Sequence, residues 1–352
     1  MSRFAVSCAM IVCGLFLHGA EEEFKLPAVA AVVELKALCP RTEIAVEGRG
    51  TACLVVPDRA STRAAAEHFR AEIARRTGVS LPVVSDVELV DASWRVDPVR
   101  ASGTTWIAFG NVNTNRLLAV LYGQRYVVAD SICPGEGGHV VRTVHDPFAT
   151  GVNVLVLAGS DDAGVARAVA VFLEKHASSG AGGSLVLPTP VVDVSFETKA
   201  YRFFPDVTDS LSSKRQPQYT GLDWFRDRWT KAGFMNADGR IVTHASKTAT
   251  RTALTGAISR MGQTYFRTGN PALPPMMKEL LDKNRHLLQN ADGVHGMGGR
   301  TSGHVHQWDL LEELPVWTRE DRLAMTNALL ADAALGNERR AFHKQVAEGM
   351  RQ

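Results

Sequence analysis

The spacing of apolar residues changes once along the 352-residue chain, and this change restricts the fold more than any other feature. From about Thr51 to Pro190, short runs rich in Val, Ile and Thr alternate with segments in which apolar residues recur every three or four positions. These are the patterns of strands and of amphipathic helices. From about Gly221 only the helical period remains. The pattern predicts an α+β protein of two domains, in which an α/β sandwich precedes an all-α region.

The first domain, predicted over residues 21–190, should contain a mixed sheet with two or three helices on one face. Its strands are predicted in TACLVVPD, LPVVSD, TTWIAFG, HVVRTVHD and NVLVLAG. The segment RASTRAAAEHFRAEIARRTGV places Phe69 and Ile73 on one face of a helix that ends at Gly78. A last helix, in GSDDAGVARAVAVFLEKHA, is predicted to be capped by Ser160.

A linker is predicted over residues 191–216 and a helical domain over residues 217–352. Helices are predicted in LDWFRDRWTKAGF, SKTATRTALTGAISRMGQTYFRTG, PPMMKELLDKNRHLLQ and TREDRLAMTNALLADAALG. They are expected to form antiparallel pairs joined by short turns such as RTGNP. The last of them should begin with a capping box of Thr318 and Asp321 and end at Gly336.

The first twenty residues, MSRFAVSCAMIVCGLFLHGA, place one arginine before an apolar run and small residues before EEE. This is the pattern of a secretory signal peptide, and it predicts a secreted or periplasmic protein. A lipid-modified Cys8 or Cys13 is the alternative. The apolar run is too short to span a membrane, so no membrane association is expected after cleavage. Of the remaining cysteines, Cys39, Cys53 and Cys133, the first two form a possible disulfide.

The balance of charges argues against a nucleic-acid partner. Lys and Arg number 39 against 37 Asp and Glu, and the basic residues are scattered. The glycines of PGEGGH, Pro134 to His139, suggest a phosphate-binding loop, but they lead into a predicted strand rather than a helix. A turn is therefore predicted there. His139 and His145 are interpreted as turn or sheet-surface residues, and no cofactor is expected.

Four segments of the first domain occur in a distinctive order between Thr51 and His176: RASTRAAAEHFRAEIARRTGVSLPVV, WIAFGNVNTNRLLAVLY, HVVRTV and VLVLAGSDDAGVARAVAVFLE. This order resembles the accessory domain that precedes the catalytic domain of alpha-glucuronidases and beta-hexosaminidases. The resemblance implies a domain that supports catalysis without carrying the reactive groups. Those families continue into a (β/α) barrel, whereas this chain continues into helix pairs.

The helix pairs, with turns such as YFRTGNP, resemble the (α/α) toroids of heparinase-type polysaccharide lyases and of some glycoside hydrolases. This second resemblance covers about Leu222 to Gly336. A complete toroid has more helices than this region supplies. The resemblance therefore implies a partial toroid, either an open helical array or part of a longer enzyme.

The side chains best suited to chemistry are concentrated in GGRTSGHVHQWDLLEEL, Gly298 to Leu314. Its glycines predict a wide loop that leads into a helix. Rim loops build the substrate cleft in the toroid families, so the resemblance implies that His304, His306 and Asp309 reach a sugar. Trp308 is a predicted substrate-binding residue, because the face of an indole ring stacks on pyranose rings.

Elimination from a uronate is one reaction that these residues predict. It needs a base next to the carboxylate and a group that stabilises the enolate. His304 or His306 is the predicted base. The candidate partners are Tyr265, Asn236, His244 and the substrate-binding Arg300.

Hydrolysis is the second reaction, and it needs two carboxylates that flank the glycosidic bond. Asp309 and Glu313 lie one helical turn apart and are the predicted pair. Zinc binding is a further alternative. Its ligands would be His295, His304, His306 and Asp309.

Together these features predict a secreted carbohydrate-active protein that acts on a polysaccharide or oligosaccharide by lyase or glycoside hydrolase chemistry. The alternatives are a non-catalytic glycan-binding or assembly module and an inactive fragment of a larger enzyme. An enzyme needs a second catalytic group opposite His304 or His306. A binding module needs only a stacking surface such as Trp308.

Overall fold

The computed structural model describes residues 31–97, 99, 103–178, 183–188, 190–195, 222–245, 249–290 and 298–349. The predicted signal peptide, residues 1–20, lies outside this part of the chain, as do residues 196–216 of the predicted linker and His295. The side chain of Arg300 also lies outside it. Within the described ranges, no helix is long and apolar enough to cross a membrane.

The protein is α+β, and its main sheet is mixed, as predicted. The strands are β1 (Arg41–Val46), β2 (Arg49–Gly50), β3 (Ala52–Val56), β4 (Val83–Ser85), β5 (Thr105–Gly110), β6 (His139–Val144), β7 (Val154–Gly159), β8 (Leu185–Pro188) and β9 (Val192–Val194). The main sheet has the order β4-β3-β5-β7-β6-β9; its first four strands are parallel, and β6 and β9 pair in antiparallel fashion. β1 pairs with β2 and β8 in a smaller antiparallel sheet.

Helices flank this sheet and form the C-terminal part. They are α1 (Ala60–Thr77), α2 (Asp86–Leu89), α3 (Arg116–Gly123), α4 (Asp162–Val171), α5 (Leu222–Lys231), α6 (Arg251–Thr268), α7 (Leu273–Asn284), α8 (Gly298–Leu311) and α9 (Arg319–Gly349). A π-helical turn extends α4 to His176, and a 3₁₀ turn extends α7 to Gln289.

Helices cover both faces of the main sheet, so the prediction of helices on one face is wrong. α1 and α4 pack on one face through an apolar cluster that includes Phe69. α3 packs on the other face, in a cluster that includes Leu117. Successive side chains of a strand point to opposite faces of the sheet. Leu54 of β3 therefore belongs to the first cluster and Val55 to the second. Cys53 lies in β3, and it is not joined to Cys39 by a disulfide.

Local capping signals are confirmed in part. Gly78 ends α1 in the left-handed conformation, with φ of 76°. At α4 the cap is Asp161 rather than Ser160, because the Asp161 carboxylate accepts a hydrogen bond from the N–H of Gly164 at 2.7 Å. The Ser160 hydroxyl instead accepts from the N–H of Gly135.

The C-terminal helices share a second core. The predicted capping box is confirmed at α9: Thr318 N–H donates to the Asp321 carboxylate at 2.9 Å, and Asp321 N–H donates to the Thr318 hydroxyl at 3.2 Å. α9 does not end at Gly336 but continues to Gly349. The predicted loop at Gly298 is also wrong, because α8 begins there. Buried Leu311 anchors α8 against α6, and this packing outweighs the low helix propensity of glycine.

A close approach between α4 and the sheet depends on Gly164. A Cβ atom at this position would lie 2.2 Å from the carbonyl oxygen of Gly138, a backbone atom that cannot rotate away. We expect Gly164→Ala to lower the free energy of unfolding by about 2 kcal/mol, because overpacking forces the backbone to shift. Urea denaturation measures this. Gly123→Ala is the matched control, because a Cβ there meets nothing within 4 Å; an equal loss in both variants would contradict the prediction.

The capping box should also make stability depend on pH. Burial alone would raise the pKa of Asp321, but the Thr318 N–H, Arg285 and Lys278 outweigh it and hold the pKa below its usual range. The stabilisation is therefore present above the unfolded value of about 3.9 and is lost as pH falls through the lower folded value. We expect Asp321→Asn to cost about 2 kcal/mol at neutral pH.

Urea titrations at a series of pH values should show the loss in Asp321→Asn shrinking below about pH 4. Asp58→Asn is the control, because that carboxylate is 95% exposed. A loss in Asp321→Asn that is constant down to acid unfolding would contradict the electrostatic explanation.

Candidate functional site

The predicted site stretch is helical, and this separates its two histidines. Residues two apart on an α-helix point to different sides, because each residue turns the chain by about 100°. His304 faces α6, where its Nδ1 lies 3.5 Å from the hydroxyl of Thr255. His306 faces the α/β part, where its ring lies 5.7 Å from that of Tyr126. The two histidines therefore do not act on one substrate atom.

Lys36 joins three carboxylates at the end of α8. Its Nζ lies 2.7 Å from Asp309, 2.9 Å from Glu312 and 3.2 Å from Glu313. Lys36 and Asp309 have side chains that are 43% and 39% exposed, whereas Glu313 is only 5% exposed. Burial would lower the pKa of Lys36, but hydrogen bonds to Asp309 and Glu312 outweigh it and raise the pKa above its usual range. The lysine therefore stays cationic and neutralises part of this acidic group.

The segment that carries Lys36 lies along the C-terminal helices, although it belongs to the predicted first domain. The N–H of Val32 donates to the side chain of Asn327 on α9 at 2.7 Å, and the same side chain donates back to the Val32 carbonyl at 3.0 Å. Arg322 of α9 donates to the Lys36 carbonyl at 3.1 Å. These contacts hold the Lys36 backbone against α9.

A cavity of about 930 Å³, here called the carboxylate cavity, opens beside this group. Asp309 and Glu313 line it together with Tyr126 and His145. The Tyr126 hydroxyl donates to Asp309 at 3.2 Å, and Nδ1 of His145 lies 3.0 Å from the Glu313 carboxylate. Burial, then the Asp309 charge, raises the pKa of Tyr126, which keeps its hydroxyl as a donor. His145 is therefore an interface residue rather than the surface residue predicted.

A second cavity of about 480 Å³, here called the arginine cavity, lies on the other side of Tyr126. It is lined by Arg125, Arg142, Arg267 and His306, among others. The Tyr126 and His306 rings and the Arg125 carbonyl, which lies 3.4 Å from Nε2 of His306, stand between the two cavities. The structure thus brings Asp309, Glu313 and His306 to one interface.

The other predicted site residues lie elsewhere. Trp308 is 4% exposed; its ring lies 5.4 Å from that of Trp317 and its Nε1 donates to Thr326 at 3.1 Å, so its faces are not open for sugar stacking. Tyr265 is buried in the helical core.

His244 and Asn236 serve local structure. Nε2 of His244 lies 2.9 Å from the carbonyl of Ala232, and its ring packs edge-on against Phe234. The Asn236 side chain accepts from the N–H of Arg240 at 2.9 Å within a turn. Neither residue lines the carboxylate cavity or the arginine cavity.

No zinc site forms in the part of the chain that the structure describes. No group of three His, Cys, Asp or Glu side chains there has the arrangement of a metal site. Two of the candidate zinc ligands, His304 and His306, point to different sides of α8. The first contacts α6 and the second contacts Tyr126.

Lys36→Met should destabilise the protein, because it removes the lysine from nearly buried Glu313 and leaves nearby Glu312 with Arg322 alone. We expect a loss of about 2 kcal/mol in the free energy of unfolding, below the usual range for a buried pair because Lys36 is partly exposed. Chemical denaturation at neutral pH measures it. Lys231→Met, which removes an exposed pair with Asp227, should cost less than about 0.5 kcal/mol. Equal losses would show that Lys36 is an ordinary surface residue.

Comparison with known proteins does not identify a family for the chain. No family model matches the sequence, and no curated protein matches it significantly. What the site does is therefore inferred from its geometry.

Proposed function

We propose that the protein is an exported, secreted or periplasmic, carbohydrate-active protein that hydrolyses a polysaccharide or oligosaccharide in the carboxylate cavity. The α/β part would be an accessory domain and the helices a partial (α/α) toroid. One observation carries the proposal: Asp309 and Glu313 line the same open cavity. Glycoside hydrolysis needs two such carboxylates on either side of the bond.

The spacing of the carboxylates favours a retaining reaction. Nζ of Lys36 lies 2.7 Å from an oxygen of Asp309 and 3.2 Å from an oxygen of Glu313. These two oxygens are therefore no more than about 6 Å apart, an upper limit that allows the roughly 5–5.5 Å of retaining enzymes and is shorter than the roughly 6.5–9.5 Å that inverting enzymes need for a water molecule.

The two carboxylates have different surroundings, which suggests different roles. Asp309, 39% exposed, is the proposed nucleophile, because a substrate in the cavity can reach it. Glu313, 5% exposed and lining the same cavity, is the proposed acid and base, since the reaction needs a second carboxyl group that protonates the leaving group. Lys36 is 43% exposed, and its flexible side chain would move aside when substrate enters.

A non-catalytic glycan-binding module is the second candidate. It is favoured by the pairing of both carboxylates with Lys36, which lowers their availability for catalysis. Elimination at His306 is the remaining enzymatic alternative, because the nearby arginines could neutralise a uronate carboxylate.

The experiment is to incubate the protein with neutral and uronate-containing polysaccharides and to follow reducing ends together with the ultraviolet absorbance of unsaturated uronates. We expect reducing ends without new absorbance. Asp309→Asn and Glu313→Gln should each reduce the rate by about 100-fold or more, the usual loss for an acid, a base or a nucleophile. Glu279→Gln, at an exposed carboxylate paired with Lys283, should keep the full rate.

Three other results would each support a different conclusion. New absorbance that disappears in His306→Ala would replace hydrolysis with elimination. Saturable binding of a glycan without products would favour the binding module. Absence of both products and binding, in protein shown to be folded by circular dichroism, would reject a carbohydrate function for this part of the chain.

A further inference from the structure

Arg142 is a cation on a buried, apolar face of the main sheet. It lies in β6 between Val140 and Val144, whose side chains belong to the apolar cluster beneath α3. β7 and β9 flank it on both sides, and the residue is only 4% exposed. Its guanidinium carbon lies 4.0 Å from the centre of the Phe266 ring of α6. The strand thus places an arginine where the alternating pattern calls for an apolar residue.

The structure does not neutralise this charge. Among the described residues no carboxylate lies within 4.0 Å of the Arg142 guanidinium, and its Nε has no hydrogen-bond acceptor. Burial lowers the pKa of Arg142 to about 9, which still leaves the group cationic at neutral pH. A buried charge without a partner is costly, and contact with one aromatic ring offsets only part of that cost.

The unpaired guanidinium borders the arginine cavity, and a second donor there is also unused. Gln307 of α8 is 5% exposed, and its side-chain nitrogen has no acceptor. Arg125, Arg267 and His306 add further positive or donating groups to the lining. The cavity therefore collects hydrogen-bond donors from the α/β part and from two C-terminal helices.

One carboxylate also lines this cavity, but it already has partners. Asp130 accepts from the Tyr122 hydroxyl at 2.9 Å and from the N–H groups of Ile132 and Cys133 at 2.8 Å. It is the one acidic side chain among the described lining residues. The lining therefore has an excess of positive charge that a bound anion would complement.

We propose that the arginine cavity is a binding site for the oxyanion group of a small acidic ligand, a carboxylate, sulfate or phosphate. A planar guanidinium and an amide NH₂ offer several donors to the oxygens of one such group, and the burial of Arg142 and Gln307 limits competition from water for these bonds. The volume of about 480 Å³ admits a ligand of the size of a sugar acid. This inference does not depend on catalysis by Asp309 and Glu313.

Isothermal titration calorimetry of the full chain at neutral pH tests the site. Sodium sulfate, sodium phosphate and sodium glucuronate are titrated at a constant ionic strength set with sodium chloride, and glucose is the neutral control. We expect saturable binding of at least one oxyanion and none of glucose. A preference for glucuronate identifies a sugar carboxylate as the ligand group, whereas a preference for sulfate or phosphate identifies a tetrahedral ester.

Arg142→Met and Arg267→Gln should each weaken the binding by about tenfold or more, the loss expected for one charge-assisted contact. Arg70→Gln, on the exposed surface of α1, should leave it unchanged. Because methionine fills a similar volume without the unpaired charge, Arg142→Met should keep or raise the melting temperature. If Arg142 were retained for stability alone, Arg142→Met would instead lower the melting temperature.

Two results would overturn the proposal. One is no saturable binding of any of the three anions to the wild-type protein. The other is binding that Arg267→Gln and a folded Arg142→Met leave unchanged, which would place the anion elsewhere. If Arg142→Met does not fold, Arg267→Gln together with Gln307→Leu decides the question in the same way.

Discussion

The main sheet has to bury both of its faces, and this requirement shapes the rest of the molecule. Parallel strands such as β3, β5 and β7 are apolar on both sides and need a cover on each. α1 and α4 cover one face, but α3 lies near only part of the other. At the β6 and β9 edge the cover comes from α6, which brings Phe266 onto Arg142. The C-terminal helices therefore complete the core of the α/β part.

This arrangement also explains where the cavities form. A helix that packs on a twisted sheet at its edge leaves space beside the line of contact. The Tyr126 segment and α8 border that space, and their polar side chains meet across it. Ion pairs at such an interface add orientation more than net stability, because desolvation offsets much of the attraction. Lys36 has this orienting role, because its ion pair with Asp309 holds α8 against the segment that precedes β1.

Local patterns predict many of the elements, but not the contacts between distant segments. The Thr318 capping box depends only on neighbouring residues and is confirmed, and the mixed sheet expected from the apolar strand patterns is confirmed as well. The Gly298 stretch was predicted as a loop because glycine is a poor helix former, whereas tertiary packing makes it a helix. Because this stretch is a helix, His304 points away from His306 and Trp308 lies in the core.

The residues that contact Asp309, and that sequence patterns do not predict, lie far from it in the chain. Tyr126 is 183 residues from it and Lys36 is 273 residues from it, so no spacing pattern connects them. Arg142 is different, because its signal is local: HVVRTV is a strand with a cation at a position that alternates with valines. A charged residue in such a strand predicts either a buried partner or a ligand.

The two cavities differ in the balance of charges in their linings, and the contacting rings of Tyr126 and His306 stand between them. Arg125, Arg142 and Arg267 outnumber one carboxylate in the lining of the arginine cavity, whereas Asp146, Asp309 and Glu313 outnumber Lys36 and Arg95 in the carboxylate cavity. A ligand with one anionic end would be attracted to the arginine cavity and repelled from the carboxylate cavity. The charge pattern of the interface thus favours one of the two cavities for an anionic group.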